Sequence, residues 1–420
     1  MRLDRLIAFF TALKLTVVCL ALAMVLVFIG TLAQVDMGLY RVQSEFFRSF
    51  FVFWRPQGAG WKIPVFPGGY LIGGVLLVNL VATRADPRRW AGKRTSIVVG
   101  VLGLVALGIA RLWLHSHELA ICGASFVLVG LLRVEPIHGG LILLLLGQLG
   151  TDMLSVESHL RLGEGQTKDY SESGRRTELA AVDTTEPNTD RVVAIPDSLL
   201  ARRKIISHAD LPFTIHVKRF LHNASLSNRP EASFEKSPAT QDVGSPVWFR
   251  EEPKVTKMDV RDVPTAIIEL QTPQGSLGTW LVSELIRQPQ SVTFNDRTWQ
   301  LGLRLRRYYK PFSLQLLKFS FDKYPGSDIP KNFSSRVRVM RADTGEDREV
   351  LIKMNNPLRY GGETFYQSGY DENDPRVTIL QVVRNPGWLT PYVACALVSV
   401  GLVIRFMSHL IEFLSRRRTA

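Results

Sequence analysis

Eight histidines and three cysteines are the side chains here that could hold a transition metal through imidazole nitrogen or thiolate sulfur. Two of the histidines bracket one apolar run, PIHGGLILLLLGQLGTDMLSVESHLRLGEG: His138 stands at its start and His159 just past its end. A polar ring at the mouth of a membrane span is costly unless something binds it, so His138 either faces headgroups and water or serves as a ligand. His115 and His117 are spaced i, i+2, which does not put them on one helix face, so they are weak candidates for a shared metal site. His159, His208, His216 and His222 lie outside the apolar runs, without the cysteine or carboxylate spacing of a metal cage, and read as structural or solvated.

Cys19, Cys122 and Cys395 all fall inside apolar runs, so the polar part of the chain has no disulfide framework, no CxxC and no zinc cluster. That excludes a thiol oxidoreductase. No GxSxG, phosphate-binding loop, HExxH or GxGxxG occurs, and nothing in the sequence points to a catalytic residue.

The elements that must position His138 are apolar. A first span at 13–32 follows Arg2 and Arg5 and is read as a retained anchor. The aromatic stretch EFFRSFFVFW, residues 45–54, is expected to lie in the membrane interface. Further spans are expected at 67–83, 97–114, 119–132 and 137–155, with a last one at 388–408 that is followed by His409 and by Arg416, Arg417 and Arg418. The basic loop from Arg84 to Arg94 and the arginine tail both favour the cytoplasmic side. If the long polar stretch is outside, an even number of crossings must separate Arg94 from Arg133, and two gives about six spans in all. His138 and His409 then fall near the cytoplasmic face on different spans.

The formal net charge is +13. Residues 156–386 hold 33 basic and 30 acidic side chains, whereas the rest of the chain holds 18 and 8. The excess therefore belongs to membrane topology, and a nucleic-acid partner loses its support. Residues 156–386 read as a large mainly-β domain placed before the last span. Strand-like runs recur at 213–218, 265–270, 314–321, 337–340, 349–352, 364–367 and 376–383, with a turn at Asp343-Thr344-Gly345. Residues 171–190 and 223–244 are polar or rich in Ser, Asn and Pro, and are expected as surface loops.

These segments resemble the ResB (CcsB) family of system II cytochrome c biogenesis proteins. The resemblance lies in KLTVVCLALAMVLVFIGTLAQ at Lys14, FPGGYLIGGVLLVNLVAT at Phe66, PIHGGLILLLLGQLG running into LRLGEGQ, DKYPGSDIPKNFSSRVRV at Asp322, and NNPLRYGGETFYQSGYD at Asn355. It implies a multi-pass protein of the cell inner membrane, its large domain on the extracytoplasmic, periplasmic side. Such a protein works with a CcsA-type haem-handling membrane protein to carry haem outward and present it to apocytochrome c, as a non-catalytic subunit of the attachment complex. The family's intramembrane histidine maps onto His138, as an axial ligand of transiently held haem iron. The second ligand would come from the partner, with His409 as the in-chain alternative.

The pair of spans at 97–132 is additional to a four-span pattern. The eight tryptophans are dispersed, so the tryptophan-rich haem segment of CcsA proteins is absent and a partner is required. The alternative class is a membrane-anchored scaffold or sensor with an extracytoplasmic β domain and no haem. A transporter subunit would show broken helices or repeats, and none is visible.

Overall fold

A computed structural model describes residues 8–54, 56, 61–85, 103, 125–127, 135–186, 189–255, 260–323, 325–326, 330–371 and 373–419. The chain divides into a helical unit, Met1–Ser155 with Asn385–Ala420, and a β unit, Val156–Arg384.

In the helical unit, α1 (Leu13–Met37) is almost wholly apolar and ends at Gly38. A short helix, α2 (Leu39–Val42), continues as a π-helical turn over Gln43–Phe47. The hairpin β1 (Phe51–Trp54) with β2 (Ile63–Pro67) then leads into α3 (Gly69–Ala85). The aromatic stretch 45–54 is thus a π turn and a hairpin strand, with Phe46 and Val52 buried against Cys19, Leu26, Val42 and Ile72. Asn79 of α3 is buried and fully used: its amide donates to the Phe10 and Ala12 carbonyls (2.6 and 3.2 Å) and its oxygen accepts from Thr16 (2.6 Å). Those bonds tie α3 to the chain entering α1 and to its first turn.

Helix α4 (Pro136–Leu154) starts with proline at its first position, and the last helix, α6 (Thr390–Thr419), runs antiparallel to it. Small residues let the two backbones approach. A Cβ on Gly140 would sit 2.6 Å from Val398 Cγ2 and 2.7 Å from the Ala394 carbonyl oxygen, and one on Gly401 would meet Ile137 and Pro136.

Among the described residues three helices are long and apolar enough to cross a membrane, Leu13–Met37, Pro136–Leu154 and Thr390–Arg417, with a shorter apolar helix at Gly69–Thr83. The expectation of about six spans is therefore not what these residues show. The spans expected at 97–114 and 119–132 lie outside the described residues, save for a few positions.

The β unit is mainly antiparallel sheet. Its largest sheet takes in β3 (Val156–Gly163), β4 (Thr167–Asp183), β5 (Arg191–Pro196), β13 (Gln290–Phe294), β14 (Arg297–Lys323), β15 (Pro330–Arg341), β16 (Glu346–Lys353), β17 (Leu358–Tyr360), β18 (Glu363–Asp371) and β19 (Asp374–Arg384). Their order is β16-β15-β14-β4-β3-β19-β18-β17, with β13 beside β14 and β5 beside β4. A second sheet has the order β12-β11-β7-β6, from β6 (Ile205–Ile206), β7 (Thr214–Leu221), β11 (Thr265–Thr272) and β12 (Gly275–Ser283).

The 27-residue β14 spans two cores. Its first half contributes Trp299, Leu301 and Leu303 to a core shared with Ile268, Leu270 and Trp280 of the second sheet and with Leu200 of α5 (Asp197–Arg202). Its second half contributes Phe312, Leu314 and Leu316 to a core with Leu160, Val337, Phe365 and Leu380. The other face of the second sheet, through Ile267 and Leu281, packs on Phe249 of β10 (Trp248–Glu251), which pairs with β8 (Ala224–Ser227) and β9 (Glu235–Lys236).

Two loop expectations need correction. Residues 171–183 are strand, because β4 lies between β14 and β5 and its polar side chains find partners there: Glu172 meets Arg307 at 3.3 Å and Glu178 meets Arg304 at 3.1 Å. Its end, Leu179 to Ala181, is buried. The 223–244 stretch is irregular but holds β8, β9 and a 3-10 turn at Asp242–Gly244.

Candidate functional site

Glu135 precedes α4 as its N-cap residue, yet its carboxylate makes no capping bond to the helix. One oxygen, Oε2, lies 2.9 Å from His138 Nδ1, and the other, Oε1, accepts from Arg405 Nη1 at 3.1 Å. Arg405 belongs to α6, one turn beyond Gly401, where the two helices are in contact. Glu135 and His138 are partly buried, with side chains 19% and 27% exposed, while Arg405 is more open. At the start of an apolar helix an imidazole and a carboxylate thus join a guanidinium from the neighbouring helix in one chain of contacts.

The group in this set able to ligate a metal through nitrogen is the His138 imidazole. A carboxylate at Nδ1 favours the tautomer whose lone pair is on Nε2, the form in which a histidine ligates a metal. His409 is not brought into this group: it lies one turn past Arg405, is largely exposed, and its Nδ1 stands 4.0 Å from Glu412 of its own helix. No cluster of three or more His, Cys, Asp or Glu residues able to hold a metal ion occurs among the described residues.

The remaining histidines are placed as follows. His159 is on β3 opposite Glu172, its ring over Gly174. His208 and His216 line a shallow pocket of about 400 Å³, with His208 3.5 Å from Asp210. His222 packs edge-on to Phe220. His115 and His117 lie outside the described residues.

Three further features escaped the sequence reading. At the far end of α4, Asp152 binds Arg48 at 2.6 Å and accepts from the Tyr70 hydroxyl. A cavity of about 490 Å³ between α1 and the hairpin is lined by Phe46, Phe53, Trp54 and Phe66, with the Arg41–Glu45 pair at its edge. On the β unit, Arg307 lies 4.2 Å over the Tyr170 ring, beside Tyr309 and Lys168. Burial pushes the Lys168 ammonium down from its ordinary pKa and the Tyr170 hydroxyl up. The Glu135–His138 contact had a legible signal, the i, i+3 spacing, and Arg405 had another, a charge inside an apolar run.

Helices long and apolar enough to cross a bilayer thus flank an antiparallel β domain in sequence. The chain matches the sequence model of the ResB-like family over residues 272–379, from the end of β11 into β19. It is 40% identical over 116 residues to Protein NrfI of Wolinella succinogenes, a match that covers 28% of this chain and 13% of that protein. It is 31% identical over 97 residues to Cytochrome c biogenesis protein CcsB of a Picosynechococcus (23% of this chain, 20% of that one). With the protein of the same name from Synechococcus elongatus it shares 33% over 102 residues, 23% and 21% of the two chains. The chain thus spans no more than about a fifth of the length of these curated relatives.

Proposed function

We propose that this protein acts in cytochrome c biogenesis as the ResB-type partner of a CcsA-type membrane protein, helping to carry haem across the inner membrane and present it to apocytochrome c. The observation that carries this reading is His138 at the mouth of an apolar helix with its Nδ1 against Glu135; the names of the CcsB relatives support it. His138 would hold haem iron through Nε2, and the iron would supply the coordination that keeps the porphyrin in place. Glu135 orients the ring, α4 and α6 fix its depth, and the β unit, on the periplasmic side, offers surface to the cytochrome. The chain itself is a non-catalytic subunit. The partner would supply any further ligand, because His409 stands apart from the Glu135–His138 group and is largely exposed.

The test is the absorption spectrum of the protein purified with and without its CcsA-type partner. Haem in the co-purified complex, lost in His138→Ala and partly restored by added imidazole, is the expected result. His409→Ala leaves the spectrum as it was. Unchanged haem content in His138→Ala overturns the reading and returns the histidine to an interfacial role.

A further inference from the structure

We infer that Glu135 is a positioning residue for His138, and that Arg405 holds Glu135 in that role, so that the last helix sets the imidazole's tautomer and orientation. The inference rests on the haem reading of His138 and adds to it a device within this chain.

Three observations carry it. First, Glu135 occupies the N-cap position but makes no capping bond, although the first amides of any helix need acceptors. Its carboxylate turns instead to a side chain one turn on, with Oε2 2.9 Å from His138 Nδ1. Second, its other oxygen is fixed by Arg405 Nη1 at 3.1 Å, so rotation of the carboxylate away from the ring means leaving a charge-assisted bond. Third, the helix pair that carries these groups is closely packed, with Gly140 against Ala394 and Val398 and Gly401 against Pro136 and Ile137. The placement of Arg405 therefore follows from backbone packing.

A carboxylate at the distal nitrogen of a ligating histidine fixes the tautomer and raises the donor strength of the other nitrogen. Here it puts the proton on Nδ1 and the lone pair on Nε2. A neutral histidine in water prefers the opposite tautomer, so the signature of Glu135 is present in the protein before any haem binds.

The experiment uses the full chain in detergent, labelled with ¹⁵N-histidine, in the forms wild type, Glu135→Gln, Glu135→Ala and Arg405→Gln; His138→Ala assigns the resonance. In the wild type the His138 ring shows Nδ1 protonated and Nε2 unprotonated. Glu135→Ala loses that tautomer, Glu135→Gln retains part of it, and Arg405→Gln, with Glu135 in place, broadens the signals towards a mixture. In complexes with the CcsA-type partner, Glu135→Ala gives a weaker haem band and a midpoint potential above that of the wild type, because a less basic imidazole favours ferric iron less. An unchanged tautomer in Glu135→Ala overturns the inference. A lost tautomer with an unchanged haem spectrum upholds the grip of Glu135 on the ring and overturns the ligand role of His138, so the two failures are distinct.

Discussion

Lys310 on β14 and Glu363 on β18 meet at 2.6 Å although only 3% of the lysine side chain and 15% of the glutamate are exposed. The pair spans two strands that are not ladder neighbours, next to Phe365, whose ring lies 5.7 Å from the ammonium. Two buried charges attract strongly, but each has left water, and removing one partner leaves the other without compensation. Glu363→Ala or Lys310→Ala alone should destabilise the β unit by ~3–5 kcal/mol, and the pair Lys310→Met with Glu363→Leu should recover most of that loss. Urea titration of the four proteins, followed by tryptophan fluorescence, gives the cycle. Additive single effects would mean that the charges do not depend on each other.

Trp299 separates packing from hydrogen bonding. Its side chain is fully buried, it meets Phe213 edge to face at 5.7 Å, and its indole Nε1 has no hydrogen-bond partner among the described residues. Trp299→Ala should cost ~3–5 kcal/mol through the cavity it leaves. Trp299→Phe removes the unpaired donor together with part of the volume, and its cost should stay below about 2 kcal/mol. Denaturation midpoints of the two variants decide the point, and equal losses would show that the indole nitrogen finds a partner.

How much of this was legible depended on what kind of neighbour decides each element. Runs such as Thr265 to Leu270 and Arg376 to Val383 declare themselves, because β-branched and aliphatic residues face cores on one or both sides. The turn at Gly345 was equally plain, since φ there is +67° and glycine alone accepts that freely. Residues 171–178 were misread because their polarity is answered across the ladder by Arg304 and Arg307, more than a hundred positions away. The same holds at the site. His138 stood out by its place in an apolar run, but its tie to Arg405 depends on helix packing 270 residues apart in sequence. Pairings of that range are set by tertiary structure, and no local pattern encodes them.

The β15–β16 hairpin should loosen in acid. The Arg341 guanidinium holds Asp343 below the usual carboxylate range, Arg338 does the same for Asp347, and the Tyr360 hydroxyl followed by Arg348 does so for Glu346. A carboxylate with a depressed folded pKa adds stability that is complete above its unfolded value, near 4, and is lost as pH falls through the folded one. Hydrogen exchange over residues 337–353, corrected for intrinsic rates, should show protection constant from pH 8 to about 5 and falling below about 4. Arg341→Ala should flatten part of that fall, and a profile identical to the wild type would remove Asp343 from the account.

The proposed sidedness rests on the basic segments and is open to a direct test. A periplasmic phosphatase fused after Ser171 should be active, whereas fusions after Arg89 or Arg417 should be silent. Activity at Arg89 would break the proposed topology and with it the placing of His138 near the cytoplasmic face.

The last prediction concerns the helix pair that carries the site. In the bilayer proposed for them, α4 and α6 would gain no hydrophobic drive to associate, so close packing and the few polar contacts must hold them together. At Gly140 a Cβ would press within 2.7 Å of the Ala394 carbonyl oxygen, which is backbone and cannot turn aside, and within 2.6 Å of Val398 Cγ2. Gly150, on the same helix, has nothing within 4 Å of an added Cβ. Gly140→Ala should therefore separate the helices while Gly150→Ala, equal in helix propensity, should not. A cysteine pair at Leu143 and Val393, which pack together in the apolar seam between the helices, made in a background lacking the native cysteines, reports the separation as loss of disulfide formation by mild oxidant. Gly140→Ala should cut crosslinking several-fold and weaken the Arg405 hold on Glu135, seen as the same His138 tautomer mixture that Arg405→Gln gives. If crosslinking and tautomer both match the Gly150→Ala control, the helix pair does not set the geometry of the site.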